Sequence, residues 1–196
     1  CLHEDSAGRY FSFVASEDKS ELMLYRLSLL LPPYFSENTF IRIFDLDPKE
    51  LKKPSSMVST KILDENGANL ASILQTILRK KESSKKLTSL LKGFLPFVDN
   101  VSVEHNPDKS VSYKIKECYY NKSFYANFLS DGTVSILALI LALYFEDHSN
   151  IIILEEPERN IHPKLLANLI SSAEDVSKEK QVIITTHNPE LLKYAN

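Results

Sequence analysis

Ile151-Ile152-Ile153-Leu154-Glu155-Glu156-Pro157-Glu158 is the stretch whose reading decides the fold. Four large aliphatic residues in succession leave no polar face, so they predict a strand covered on both sides, as at the centre of a parallel sheet. Two carboxylates follow at once, and Pro157 then ends ladder pairing because it has no N–H to give. Charges at the C-terminal lip of a buried strand lie on the edge where open α/β sheets bind ligands. That place suits a base that activates water, or a carboxylate ligand for Mg²⁺. Taken alone, Glu155 to Glu158 reads equally well as a solvated acidic turn.

The flanking sequence gives the stretch its company. Downstream, His162-Pro163 opens a helix whose apolar stripe is Leu165, Leu166, Leu169, Ile170, Ala173 and Val176. Gln181 to Thr186 is a second β-branched strand and runs into His187-Asn188-Pro189. Strand, helix and strand in this order predict a βαβ unit with parallel strands, so both strands end at one edge of the sheet. Glu155, Glu156 and His187 are gathered there. Upstream, Ser130 to Phe145 is apolar nearly all round, which predicts an interior helix. Leu129-Ser130-Asp131-Gly132-Thr133 opens it. Ser130 can cap the helix, Gly132 removes a side chain where a ligand could approach, and the unpaired first-turn N–H groups attract phosphate. An ordinary Ser/Asp N-cap explains the same residues.

The rest of the chain is less informative. Cys1 to Ser16 reads as a weak strand around Tyr10, Phe11 and Phe13, and Glu17 to Leu31 as a helix stopped by Pro32-Pro33. Thr39 to Phe44 predicts a short strand with Ile41 and Ile43 on one face. Asp45 to Ser59 reads as a connection. Asn66-Gly67 is a turn, with Asn69 as cap of a helix carrying Leu70, Ile73, Leu74, Ile77 and Leu78. Arg79 to Lys86 reads as an exposed charged link, and Leu87 to Leu95 as a second helix. Val101 to Glu104 and Val111 to Tyr119 predict two strands joined at Asn106-Pro107-Asp108. Tyr113, Tyr119, Tyr120, Phe124 and Tyr125, interleaved with Lys114, Lys116 and Lys122, could stack on bases, although half-buried sheet aromatics are the commoner arrangement.

Composition excludes several classes. With 43% hydrophobic and 25% charged residues, the 196-residue chain can bury one sizeable core. A net charge of −3 gives no general pull toward DNA or an anionic membrane, leaving only a local basic patch for nucleic acid. No run reaches the roughly 18 apolar residues of a membrane span. Two cysteines, Cys1 and Cys118, make no disulfide framework and fit a reducing cytoplasm. A start at Cys1 rather than Met reads as a fragment or a processed product. There are four glycines and no G-x-x-x-x-G-K-[ST] loop.

Three segments in order carry a family resemblance: Leu129 to Thr133; Ile151 to Glu158 continued by Arg159-Asn160-Ile161-His162-Pro163; and Ile183-Ile184-Thr185-Thr186-His187-Asn188-Pro189-Glu190-Leu191-Leu192. They resemble the signature, Walker B with D-loop, and switch-histidine motifs of ABC-type ATPases, nearest the SMC, RecF and OLD-like branch. Asp64-Glu65-Asn66-Gly67-Ala68-Asn69-Leu70 resembles a turn-helix entry of that branch. The resemblance implies an α/β, partial P-loop NTPase core from residue 129 to 196, with a helical and small β lobe over 1–128, forming a single domain. It implies ATP and Mg²⁺ as ligands, Glu155 holding Mg²⁺, Glu156 polarising the attacking water, and His187 contacting the γ-phosphate. Ser130, Asp131, Gly132 and Thr133 would face a nucleotide held by a second ATPase subunit, with Asn160 and His162 on the loop toward that partner. The Walker A loop and its lysine would belong to a preceding segment, so this stretch alone is expected to be inactive. Glu155 stands where Asp is commoner, Asp131 replaces a glycine, and Thr133 a frequent glutamine. Two other classes compete: a non-catalytic interaction module retaining the fold, and a carboxylate-metal nuclease resting only on Glu155, Glu156 and Glu158.

Overall fold

The structure is a computed structural model and describes residues 2–4, 10–14, 40–57 and 62–194. Its main sheet has the order β1-β2-β9-β8-β3, from β1 (Leu2–Glu4), β2 (Tyr10–Val14), β3 (Ile41–Phe44), β8 (Ile151–Glu155) and β9 (Gln181–Thr185). β2, β9, β8 and β3 run parallel, and β1 lies antiparallel on β2. The aromatic patch at residues 10–13 therefore belongs to a strand, and a second short strand precedes it. The helix expected over residues 17–31 lies outside the described residues.

β8 sits between β3 and β9, where an all-aliphatic run is needed because both faces are covered. Ile152 and Leu154 join the main core, while Ile151 and Ile153 form a smaller cluster with Ile183 and Ile43 on the other face. Between β8 and β9 the chain crosses over as a 3₁₀ turn at Pro163–Leu165 and α5 (Leu166–Ser177). The register pairs Ile151 with Gln181 through Glu155 with Thr185, so the two strands end level. That level finish fixes the site described below.

Against one face of this sheet lies α4 (Asp131–Tyr144), buried without interruption from Thr133 to Leu143. An apolar surface all round a helix is stable only where neighbours surround it. The second sheet is antiparallel: β6 (Ser110–Glu117) pairs with β5 (Val98–His105), and also with β4 (Ser55–Ser56) and β7 (Ser123–Tyr125). α2 (Leu70–Leu78) and α3 (Lys81–Phe94) complete this lobe, and their buried leucines and isoleucines merge into one core with α4.

Several local expectations need correction. Asp45 to Ser59 is not merely a connection, for it holds α1 (Pro48–Leu51), capped by the Asp47 carboxylate on the Lys49 N–H at 2.9 Å, and then β4. The charged segment after Arg79 is no link either: α3 starts at Lys81, with Lys86 Nζ donating to the Tyr144 carbonyl at 3.2 Å. Asn69 occupies the cap position of α2, but its side chain makes no capping bond there. Instead it accepts from the Asp64 N–H at 2.9 Å and donates to the Ile62 carbonyl at 2.8 Å, closing the loop around Gly67. Gly67 has φ +77°, which favours glycine. Of the aromatic residues that could stack on bases, Tyr113 is fully buried, and Lys114 and Lys116 are paired with Glu104 and Asp99. The sheet-packing alternative holds for Tyr113, whereas Tyr119, Tyr120 and Tyr125 are exposed.

Candidate functional site

At the C-terminal rim of β8 and β9 the chain turns sharply. The Glu156 N–H still bonds the Thr185 carbonyl at 2.9 Å, but Glu156 itself has φ +42°, as Asn160 has φ +67°. A left-handed glutamate costs roughly 1 kcal/mol or more and persists only where surrounding contacts over-determine it. Those contacts are visible. Arg159 Nε and Nη2 both donate to Glu156 Oε2, at 3.1 and 2.8 Å, and His187 Nε2 lies 3.3 Å from Glu156 Oε1. Arg159 Nη1 also reaches Asp45 Oδ1 at 3.4 Å, tying the turn to the residue that follows β3.

Glu155 is a half-buried carboxylate beside these groups. Burial is the largest cause pushing its carboxyl above the ordinary range, and the charges of Asp45 and Glu65 add to it, as does Glu156. Arg159 pulls the other way. Arg159 in turn loses some preference for its charged form by burial, but Glu156, Asp45 and Glu155 outweigh that and raise its pKa. Glu155, Glu156 and Arg159 line a small pocket together with Ser135, Phe44, Leu46, Leu139, Leu154 and Pro157. The Ser135 hydroxyl is buried there without a hydrogen-bond partner.

Would this rim suit Mg²⁺? Among the described residues no group of three or more His, Cys, Asp or Glu is arranged to hold a metal unaided. Mg²⁺ at nucleotide sites is commonly bound by one or two carboxylates plus substrate phosphates, so a lone Glu155 fits a metal that arrives with its nucleotide. A carboxylate made reluctant to ionise by burial and by neighbouring acids is also one that a cation would relieve.

A sign follows for stability. A carboxyl whose folded pKa is raised contributes stability while protonated, below the ordinary carboxylate pKa, and loses it as pH rises through the folded value. Glu155→Gln is therefore expected to unfold at higher temperature than wild type at about pH 7. The gap should close below about pH 3, where the wild-type carboxyl is protonated in both states. Thermal unfolding of the nucleotide-free protein at both pH values checks this, and a neutral-pH melting temperature at or below wild type contradicts it.

Across from the acids lies the start of α4. The Thr133 N–H donates to Ser130 Oγ at 3.1 Å, and the two hydroxyls are 2.8 Å apart, so Ser130 is the N-cap and its side chain is already engaged. Asp131 pairs with Lys52 Nζ at 2.5 Å, which offsets the negative charge at this helix end. At Gly132 a Cβ would lie 2.7 Å from the Asn160 carbonyl oxygen. The α4 start and the turn after β8 are thus in direct backbone contact. His162 is exposed, and its Nδ1 accepts from the Lys164 N–H at 3.2 Å as cap of the following 3₁₀ turn.

The structure brings Glu155, Glu156 and His187 to one rim and sets Gly132 against Asn160. Ser130 and His162 are capping residues, while Asp131 and Thr133 belong to the first turn of α4. Sequence reasoning missed Arg159, Asp45 and Lys52. Arg159 had a usable signal, since it stands three residues after Glu156 in a tight turn, but Asp45 and Lys52 come from distant segments.

Residues 41–193 match the family described as "AAA domain, putative AbiEii toxin, Type IV TA system". The chain belongs to this family. No curated protein matches it. Among solved structures, the AAA domain is similar to the SmcHead bound to the C-winged helix domain of ScpA, with 14% identity and a TM-score of 0.57, over 79% of this chain and 49% of that one. It also matches a Smc head domain with an extended coiled coil bound to the C-terminal domain of ScpA, derived from Pyrococcus furiosus (14% identity, TM-score 0.46, 67% and 36% of the two chains). A third match comes from work on ATP-driven dimerization and DNA-stimulated activation of SMC ATPases (15% identity, TM-score 0.49, 62% and 78%). The first of these likenesses is one of fold, that of a P-loop NTPase, and this AAA domain spans about half the length of that SMC head. ATPase-type function is the general property of the family, and the order of strands and acids is consistent with it. No helix among the described residues is long and apolar enough to cross a membrane.

Proposed function

We propose that this AAA domain is the C-terminal portion of an ABC-type ATPase site that binds and hydrolyses ATP between two subunits, with the phosphate loop supplied by sequence preceding this chain. The observation that carries the reading is the 3.3 Å approach of His187 Nε2 to Glu156 Oε1 at the rim where β8 and β9 finish together. Bound Mg²⁺–ATP supplies the phosphoryl group to be transferred. Glu155 is the metal carboxylate. Glu156 orients the attacking water and accepts its proton, while His187 keeps the carboxylate aligned and donates toward the γ-phosphate. The first-turn N–H groups of α4, around Asp131 and Gly132, face the nucleotide of the second subunit, with Ser130 and Thr133 shaping that turn. Asn160 and His162 lie on the loop toward the same partner.

Titration of the full-length protein with Mg²⁺–ATP tests this reading: saturable binding, turnover, and nucleotide-dependent dimerisation are expected. The present 196 residues alone are expected to turn over no ATP, because no Gly-rich loop with Gly-Lys-Ser/Thr is present in them. Hydrolysis by the isolated chain would remove the need for a preceding phosphate loop and sink that part of the proposal.

A non-catalytic scaffold is the second reading. What favours it is that Glu156 Oε2 is held by two donors of Arg159, and the Ser130 hydroxyl by Thr133. Full-length protein that dimerises without binding ATP would decide for the scaffold.

A further inference from the structure

Glu158 is the third acid of the turn, and the roles above leave it unused. It is partly buried, and its Oε1 accepts a hydrogen bond from the hydroxyl of Thr186, which is 5% exposed. The same hydroxyl accepts from the Asn188 N–H at 2.9 Å. Asn188 Oδ1 then accepts from the Glu190 N–H at 2.9 Å, starting the 3₁₀ turn at Leu191–Tyr194. His187 is consequently bracketed. The residue before it and the residue after it are pinned to one hydroxyl, and the hydroxyl's only proton is directed to Glu158. The other carboxylate oxygen, Glu158 Oε2, is buried with no hydrogen-bond partner. A buried acceptor left unmatched costs roughly 1–3 kcal/mol, so ordinary folding economy does not explain a glutamate there.

The backbone of Glu158 is held as well. The Ile161 N–H donates to its carbonyl at 3.0 Å, within the turn that ends at left-handed Asn160 against Gly132. Glu158 therefore ties the turn after β8, whose Asn160 abuts the α4 start, to the imidazole-bearing loop after β9.

We propose that Glu158 is a positioning residue that sets the His187 imidazole against Glu156, acting through the Thr186 hydroxyl. The inference rests on the ATPase reading for its consequence in turnover, but not for the geometry. Reorienting a reacting group by about an ångström is enough to lower rates by ~10- to 100-fold.

The experiment uses full-length protein carrying Thr186→Val, Thr186→Ser, Glu158→Ala or Glu158→Gln. The readouts are the imidazole ¹⁵N resonances at fixed pH, ATP turnover, and ATP affinity. Thr186→Val and Glu158→Ala should shift the His187 signals while those of His105, His148 and His162 stay in place. They should also lower turnover ~10- to 100-fold with ATP affinity unchanged. Thr186→Ser restores the hydroxyl and Glu158→Gln keeps an acceptor, so both should remain close to wild type. Unmoved His187 signals in Thr186→Val and Glu158→Ala would overturn the proposal, as would displacement of the His105, His148 and His162 signals along with that of His187, or Thr186→Ser behaving like Thr186→Val. Absence of turnover in the wild type counts against the ATPase reading alone, because the resonances still report on the positioning.

Discussion

Glu156→Gln in the full-length protein lowers ATP turnover by roughly 10²- to 10⁴-fold, the range for removing a positioned general base, and leaves ATP binding intact. Glutamine has nearly the shape of glutamate, so the turn at φ +42° and an acceptor for Arg159 are retained. What is lost is the ability to take a proton and the charge that faces His187. Because the ion pairs of Glu156 are partly exposed, the effect of the change on folding should stay within about 1 kcal/mol. Turnover and nucleotide binding, measured on the same preparation, separate the two properties. Turnover equal to wild type would strip Glu156 of the role of base, and loss of binding would place it among the nucleotide ligands instead.

Gly132→Ala is the second large effect, and it comes from packing instead of charge. The added methyl would lie 2.7 Å from the carbonyl oxygen of Asn160, closer than real Cβ atoms tolerate, and that oxygen is backbone and cannot swing aside. Either α4 retreats or the turn from Glu156 to Asn160 moves. Overpacking of this kind costs typically 1–3 kcal/mol. A lowered melting temperature is expected, together with a loss of turnover larger than that of an exposed alanine substitution such as Lys164→Ala. A variant as stable and as active as wild type would mean that the two segments are not in contact in solution. Serine at position 132 carries the same Cβ and should be no better.

The framework was legible because its signals are redundant. Ile151 to Leu154 is too apolar for an edge strand, Gln181 to Thr186 repeats the pattern, and the intervening leucine stripe spaces them as a crossover. Parallel pairing in register then brings Glu155 level with Thr185, leaving Glu156 and His187 little choice but to meet. Less legible were features whose reason lies far away in sequence. Lys52 looks like one more charge in a polar connection until α1 folds beside the start of α4 and pairs it with Asp131. Asp45 looks like the end of a strand, although its carboxylate is a partner of Arg159, 114 positions on. Asn69 has the composition of a cap, yet the loop around Gly67 claims its amide first. Gly132 stands out in the sequence for its missing side chain, but that the space a Cβ would take is filled by the Asn160 backbone is visible only in the fold. Local propensity names the residue that can do something, and only the tertiary partner decides which thing it does.

The left-handed backbone at Glu156 has an implication for how this sequence could change over time. Glycine would adopt φ +42° with less strain, and asparagine is better tolerated there than most residues. A lineage with no use for a carboxylate at that corner could drift to either and become slightly sturdier for it. Relatives that have abandoned chemistry should therefore be recognisable by Gly or Asn at this single position, even where the strands around it are intact.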